Sequence, residues 1–109
     1  MSALYQMQYG GVSGTGHGAI YVGKGRVLGV DITGGRYEGS YTEAEGHLRG
    51  TVTLHASGAL LVTGQPAPAE HRLAIRFDLP VDFGDGSFRT VWVGEQEARV
   101  AFRKVGEIP

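Results

Sequence analysis

The glycine-dense stretch GVSGTGHGAIYVGKGRVLGVD, residues 11–31, is where phosphate chemistry would be sought first. A phosphate-cradling loop leads from a strand into a helix N-terminus, where free backbone N–H groups and the helix dipole meet the anion. Here GTGHG runs instead into the β-branched and aromatic AIYVGKGRVLGV, and the Gly-Lys-Ser/Thr ending is missing. The run therefore reads as hairpin architecture, with Lys24 in a tight turn between two glycines. Metal chemistry fares no better. His17, His47, His55 and His71 form no i, i+2 or i, i+4 pair, and there is no cysteine to complete a ligand set. His47 and His55 lie eight residues apart on one strand, too far to share an ion, and all four read as surface polar residues.

Acid–base or nucleophilic catalysis needs two groups singled out by spacing or context. Asp31, Glu38, Glu43, Glu45, Asp78, Asp82 and Asp85 are spread over turns and strands, and no two stand out as a glycosidase pair. Ser13, Ser40, Ser57 and Ser87 have no nucleophile-elbow context. DFGDG at 82–86 reads as a turn in which Gly84 and Gly86 supply positive φ. No catalytic residue, metal or cofactor is expected.

Aromatic side chains could stack on bases, but only beside a basic groove. Ten Lys and Arg against eleven Asp and Glu give a formal charge of −1, and the basic residues are scattered. Neither nucleic acid nor an anionic membrane surface is an expected partner, and most aromatics read as core. TVWV around Trp92 is apolar on both faces. That leaves Val91 and Val93 exposed unless another chain covers them, a pattern that fits a strand-mediated dimer or the interior of a bent strand.

The elements that must position these residues are strands. LYQMQY alternates Tyr5, Met7 and Tyr9 against Gln6 and Gln8, and HRLAIRFDL alternates Leu73, Ile75, Phe77 and Leu79 against Arg72, Arg76 and Asp78. HGAIYV, RVLGVDI, RYEGSY, HLRGTVTLHA, SFRTVWV and ARVAFRKV continue the series, and no window reads as a helix. Period-2 alternation puts one face in a core and the other in water. Connections of two to five residues are hairpin length. One longer connection, 57–70, carries Pro66 and Pro68, with Leu60, Leu61 and Val62 expected to form a short strand or to cover a barrel mouth. The chain is 109 residues long, 41% hydrophobic and 19% charged, which predicts one all-β domain over 1–109. We expect about eight antiparallel strands in an up-and-down barrel, with a Greek-key sandwich as the alternative because the sequence does not show which strands pair. MSALYQMQYGG has no basic flank or apolar run of signal-peptide length, so a cytoplasmic location is expected.

Within GRVLGVDITGGRYEGSYTEAEGHLRGTVTLH lie Gly29 with Asp31, then Tyr37, Gly39 and Tyr41. The N-terminal strand, the Gly-rich hairpin and this G-x-D…Tyr-x-Gly-x-Tyr pattern, over roughly residues 4 to 56, resemble the GrlR-like family of type III secretion negative regulators. The resemblance implies a lipocalin-like eight-stranded barrel, a tendency to dimerise, and capture of a protein partner, in the founding member a transcriptional activator, through an acidic turn. In this chain that turn is EAEG, where Glu43 and Glu45 keep two acidic positions while Ala44 and Gly46 depart. Asp31 alternates with Val30 and Ile32, so it is expected to point into a barrel end. There it would accept hydrogen bonds from Tyr37 or turn amides, which makes the motif a structural pin for hairpin register.

The function these readings favour is a non-enzymatic regulatory or protein-binding barrel, acting as a homodimer. The first alternative is a carrier of a small molecule or lipid, and the second is an enzyme, which two carboxylates or a histidine–acid pair converging in a cleft would favour. A void of a few hundred Å3 lined by Tyr5, Met7, Ile20, Leu54, Ile75 and Phe77 would favour the carrier, and a filled interior would favour binding through the outside.

Overall fold

The computed structural model describes residues 2–11, 14–56 and 71–109. Eight strands follow one another: β1 Ser2–Gly11, β2 Gly14–Gly23, β3 Arg26–Asp31, β4 Arg36–Ala44, β5 His47–Ala56, β6 His71–Pro80, β7 Asp85–Val93 and β8 Gln96–Glu107. Each pairs antiparallel with the next, and β8 returns to pair with β1, so the sheet closes into an eight-stranded barrel with no helix among the described residues. Closure removes the exposed sheet edges that an open eight-stranded layer would carry. The segment holding Leu60, Leu61 and Val62 lies outside the described residues.

The alternation seen in sequence is the in–out pattern of the wall. Tyr5 and Met7 on β1, Ile20 and Val22 on β2, Leu48 and Val52 on β5, and Val100 and Phe102 on β8 are buried in one core, while Gln6, Gln8, Arg49 and Arg103 face outward. Two tight hairpins set this register. Lys24–Gly25 and Glu45–Gly46 both have positive φ at each residue, the type I′ geometry whose twist matches the flanking strands.

Glycines let so short a wall curl. A Cβ on Gly29 would sit 2.8 Å from the Ala19 carbonyl oxygen, and one on Gly39 would overlap the Thr51 carbonyl. Both positions face the interior where neighbouring backbones come too close for a side chain, as barrel corners require. The glycine run of β2 and β3 is thus part of the bend, with no helix after Gly18.

The two ends of the barrel differ. At the end holding the 24–25, 45–46 and 81–84 turns, Phe83 folds back under the wall and is 1% exposed. Its ring lies 4.6 Å from that of Tyr5 and packs edge-on to Phe102 at 5.3 Å. Backbone hydrogen bonds from Val81 to Gly46, Phe83 to Pro80 and Lys104 to Gly84 fix the turn across this end. The opposite end carries Tyr9, Asp31 and Tyr37. The wall is thinnest between β6 and β7, whose ladder consists of Ile75↔Val93 and Arg76↔Trp92.

Candidate functional site

Two features stand out as places where this barrel could meet another molecule: a cavity inside the wall and an apolar face outside it. The cavity is built first from strand parity. Inward positions of all eight strands line it, Met7, Ile20, Val52, Leu54, Ile75 and Val93 among them, and its volume is about 100 Å3. Phe83 closes the lining at one end, and Tyr9, Asp31, Thr33 and Tyr37 gather the polar atoms at the other. Five of the six residues expected around a ligand void are present. Tyr5 is not among them, because it packs on Phe83. The volume falls below the expected few hundred Å3 and below the roughly 300–1,000 Å3 of sites for drug-sized ligands.

Asp31 organises the polar end. It closes β3, and the turn that follows bends back so that its own side chain can cap it. Oδ1 accepts the Thr33 hydroxyl at 2.7 Å, the Gly35 N–H at 2.9 Å and the Thr33 N–H at 3.0 Å. Oδ2 accepts the Tyr37 hydroxyl at 2.6 Å and the Tyr9 hydroxyl at 3.3 Å. One carboxylate therefore ties the β3–β4 turn to β4 and β1. Burial pushes the Asp31 carboxyl up, but the hydrogen bonds from Tyr37, Thr33 and Gly35 outweigh it and hold its pKa below the ordinary value. Burial, followed by the neighbouring carboxylate, raises Tyr37 far above the usual tyrosine range and raises Tyr9 as well. Both phenols stay protonated, as donors to Asp31 must.

This geometry is what the motif's spacing leads one to expect. Asp31 and Tyr37 meet, Gly29 stands opposite Tyr37 in the ladder, and Gly39 opposite Val27 continues the inward row. Tyr41 packs half-buried against the core further along β4. Tyr9 and Thr33 were not singled out for this cluster. Tyr9 shares the parity of Tyr5 and Met7, and Thr33 stands two residues after an aspartate, the spacing of an Asx-type turn.

Outside the wall, β3 exposes Leu28 at 44%, Val30 at 56% and Ile32, just beyond its end, at 74%. Leu4 on β1 and Tyr21 on β2 lie in the same cross-strand row as Leu28, and Arg36 and Glu38 on β4 border the face. Leu4, Tyr21, Leu28, Val30, Arg36 and Glu38 line a shallow groove.

Of the two readings open for the β7 residues, the valines follow the interior of a bent strand and not the cover of a second chain. Val91 and Val93 point into the barrel and line the cavity, Val91 being buried, so no second chain is needed to cover them. Trp92 alone points outward, with the Arg76 guanidinium 5.7 Å above its ring in a cation–π contact. A strand that closes a narrow barrel turns both valines toward a core on its concave side, which alternation around a single tryptophan does not reveal.

Glu43 and Glu45 are exposed at the β4–β5 turn, and neither makes an ion pair among the described residues. Glu43 lies five positions beyond Glu38 on β4, about 17 Å at the rise of a strand. The acidic turn and the apolar face are therefore separate surfaces. A histidine–acid pair does exist: His47 Nδ1 lies 2.8 Å from Asp78 Oδ1, and Arg49 Nε donates to Asp78 Oδ2 at 2.9 Å. These hydrogen bonds, that of His47 foremost, hold the Asp78 carboxyl below its ordinary value. The three side chains lie on the outer wall across the β5–β6 ladder, and none lines the cavity or the groove.

Fold and site together define a closed up-and-down barrel with a carboxylate-pinned end and an apolar outer face that the described residues leave exposed. Set against known proteins, the chain matches no family model, no curated protein and no solved structure.

Proposed function

We propose that this is a non-enzymatic, GrlR-like protein-binding barrel of lipocalin-like form, acting as a cytoplasmic homodimer that captures a protein partner such as a transcriptional regulator. The observation that carries the reading is the outer face of β3, with Leu28, Val30 and Ile32 exposed beside Leu4 and Tyr21. A contiguous apolar patch with a polar rim is the mark of an interaction surface. Its charges are self-complementary. A twofold axis lying in the interface, across the strands at the level of Gly29, sets Leu28 on Val30 of the partner subunit. The same axis brings Glu38 opposite Arg36 of the partner subunit, an isologous contact. The sequence resemblance over residues 4–56 supports the same reading.

The acidic turn stays free in such a dimer. Glu43 and Glu45 then offer two negative side chains to a basic segment of the captured protein, in the manner the resemblance implies. Val30→Glu is expected to convert the dimer into a folded monomer, read by light scattering with circular dichroism as the fold control. A persistent dimer would remove this face from the interface. The double variant Glu43→Lys, Glu45→Lys is expected to remain dimeric and to lose the protein that the wild type retains from a cytoplasmic extract, and equal retention would reject the acidic turn.

A carrier role is the second reading, supported by the chemistry of the cavity lining and not by its volume. The cavity's single polar end, set against apolar walls, is how small-ligand sites fix orientation.

A further inference from the structure

At the polar end of the cavity, the hydrogens point away from the space they border. Tyr37 and Tyr9 each give their hydroxyl hydrogen to Asp31 Oδ2, and Thr33 gives both its N–H and its hydroxyl to Oδ1, together with the Gly35 N–H. Five donors are spent on one carboxylate. What the phenols still offer is oxygen lone pairs, so among the described residues this end of the cavity accepts hydrogen bonds and does not donate them. Behind those oxygens sits the negative charge of Asp31, which has no Lys, Arg or His ion-pair partner among the described residues. The remaining lining is almost wholly hydrocarbon, from Met7, Ile20, Val52, Leu54, Ile75 and Phe77.

We infer that the barrel interior binds a small apolar molecule carrying one neutral hydrogen-bond donor, such as a phenol or a short-chain alcohol, and rejects carboxylates of the same size. Volume sets the body of the ligand. An apolar protein cavity of about 150 Å3 takes benzene, so the about 100 Å3 here suits a body of that size or slightly smaller. The head group follows from the spent hydrogens. A hydroxyl hydrogen of the ligand meets a tyrosine oxygen, whereas a carboxylate would bring lone pairs against lone pairs and a second negative charge toward Asp31. A fatty acid, the usual guess for an apolar barrel, is the wrong ligand on both counts. The inference deepens the carrier reading and rests on it.

The test uses phenol, benzene and benzoate as probes, with shifts of the Ile20, Val52, Leu54 and Ile75 methyl signals followed by two-dimensional NMR. Phenol is expected to bind at least tenfold more tightly than benzoate and several-fold more tightly than benzene. Tyr9→Phe, which removes one acceptor and spares the shorter Tyr37 bond, is expected to narrow the gap between phenol and benzene while the methyl signals of the folded barrel persist. Benzoate binding as tightly as phenol overturns the head-group assignment. Benzene and phenol binding equally well overturns it too, yet leaves a carrier of apolar molecules standing. If all three probes leave the interior methyls unmoved, or move only Leu28 and Val30 on the outer face, both the ligand class and the carrier reading fall.

Discussion

Phe83→Ala is expected to destabilise the barrel by about 3–5 kcal/mol, the usual cost of deleting a buried phenylalanine, read by urea denaturation with constant slope. The magnitude follows from position. Phe83 is 1% exposed and sits between Tyr5 and Phe102, and its turn crosses one end of the barrel. Removing the ring takes away the burial of its own surface and two aromatic contacts. It also leaves a void that joins the existing cavity, because Phe83 is part of the lining. The wall around it cannot collapse inward, being held by the β8–β1 ladder on one side and by the Lys104 to Gly84 hydrogen bond on the other. Phe83→Leu refills part of the space and is expected to recover more than half of the loss. A loss under about 1 kcal/mol for the alanine variant would mean that the turn does not seal the barrel.

Asp31→Ala is expected to cost about 2–4 kcal/mol at pH 7, because hydrogen bonds to a charged acceptor are the stronger kind and their donors are left unsatisfied. Tyr37 is buried and loses its acceptor, and the β3–β4 turn loses both of its bonds to Oδ1 from Thr33 and the one from Gly35. The pH dependence has a definite sign. The folded-state pKa of Asp31 is depressed, so its contribution is fully present above the unfolded carboxylate value of about 3.9. It is lost as pH falls through the lower folded value. The stability gap between wild type and Asp31→Asn is therefore expected to be constant from pH 7 to about 5 and to shrink steadily below about 4. A gap that widens on acidification would contradict the hydrogen-bonded carboxylate.

These two residues also show what can and cannot be read from a chain of this kind. Asp31 was legible: it alternates with Val30 and Ile32, so parity alone turns it inward, and an inward carboxylate must find donors. Tyr37 lies six residues on, across a short turn, and supplies one. The inward rows of β1, β5 and β6 were legible for the same reason, since Leu73, Ile75, Phe77 and Leu79 alternate with polar residues. Phe83 was not legible. DFGDG carries every signal of a solvent-facing turn, and nothing local reports that the turn folds back under Tyr5. Whether a partner or the barrel itself covers Val91 and Val93 was not legible, because flanking a tryptophan with valines makes a strand apolar on both faces. Only the curvature of the closed wall decides which face is covered. The size of the cavity is a small difference between wall circumference and side-chain volume, and it depends on glycines such as Gly29 and Gly39 that draw the backbones together. Periodicity contains no such term.

The proposed role stands on the outer face of β3 meeting a second copy of itself. The most direct measurement is an isotope-filtered NOE experiment on a sample mixed from carbon-13-labelled and unlabelled protein, which detects only contacts between protomers. Cross-protomer signals are predicted among the methyls of Leu28, Val30 and Leu4, with the ring protons of Tyr21 joining them. Intermolecular signals confined to Trp92 and its neighbours, or none at concentrations where light scattering reports a dimer, would contradict the account.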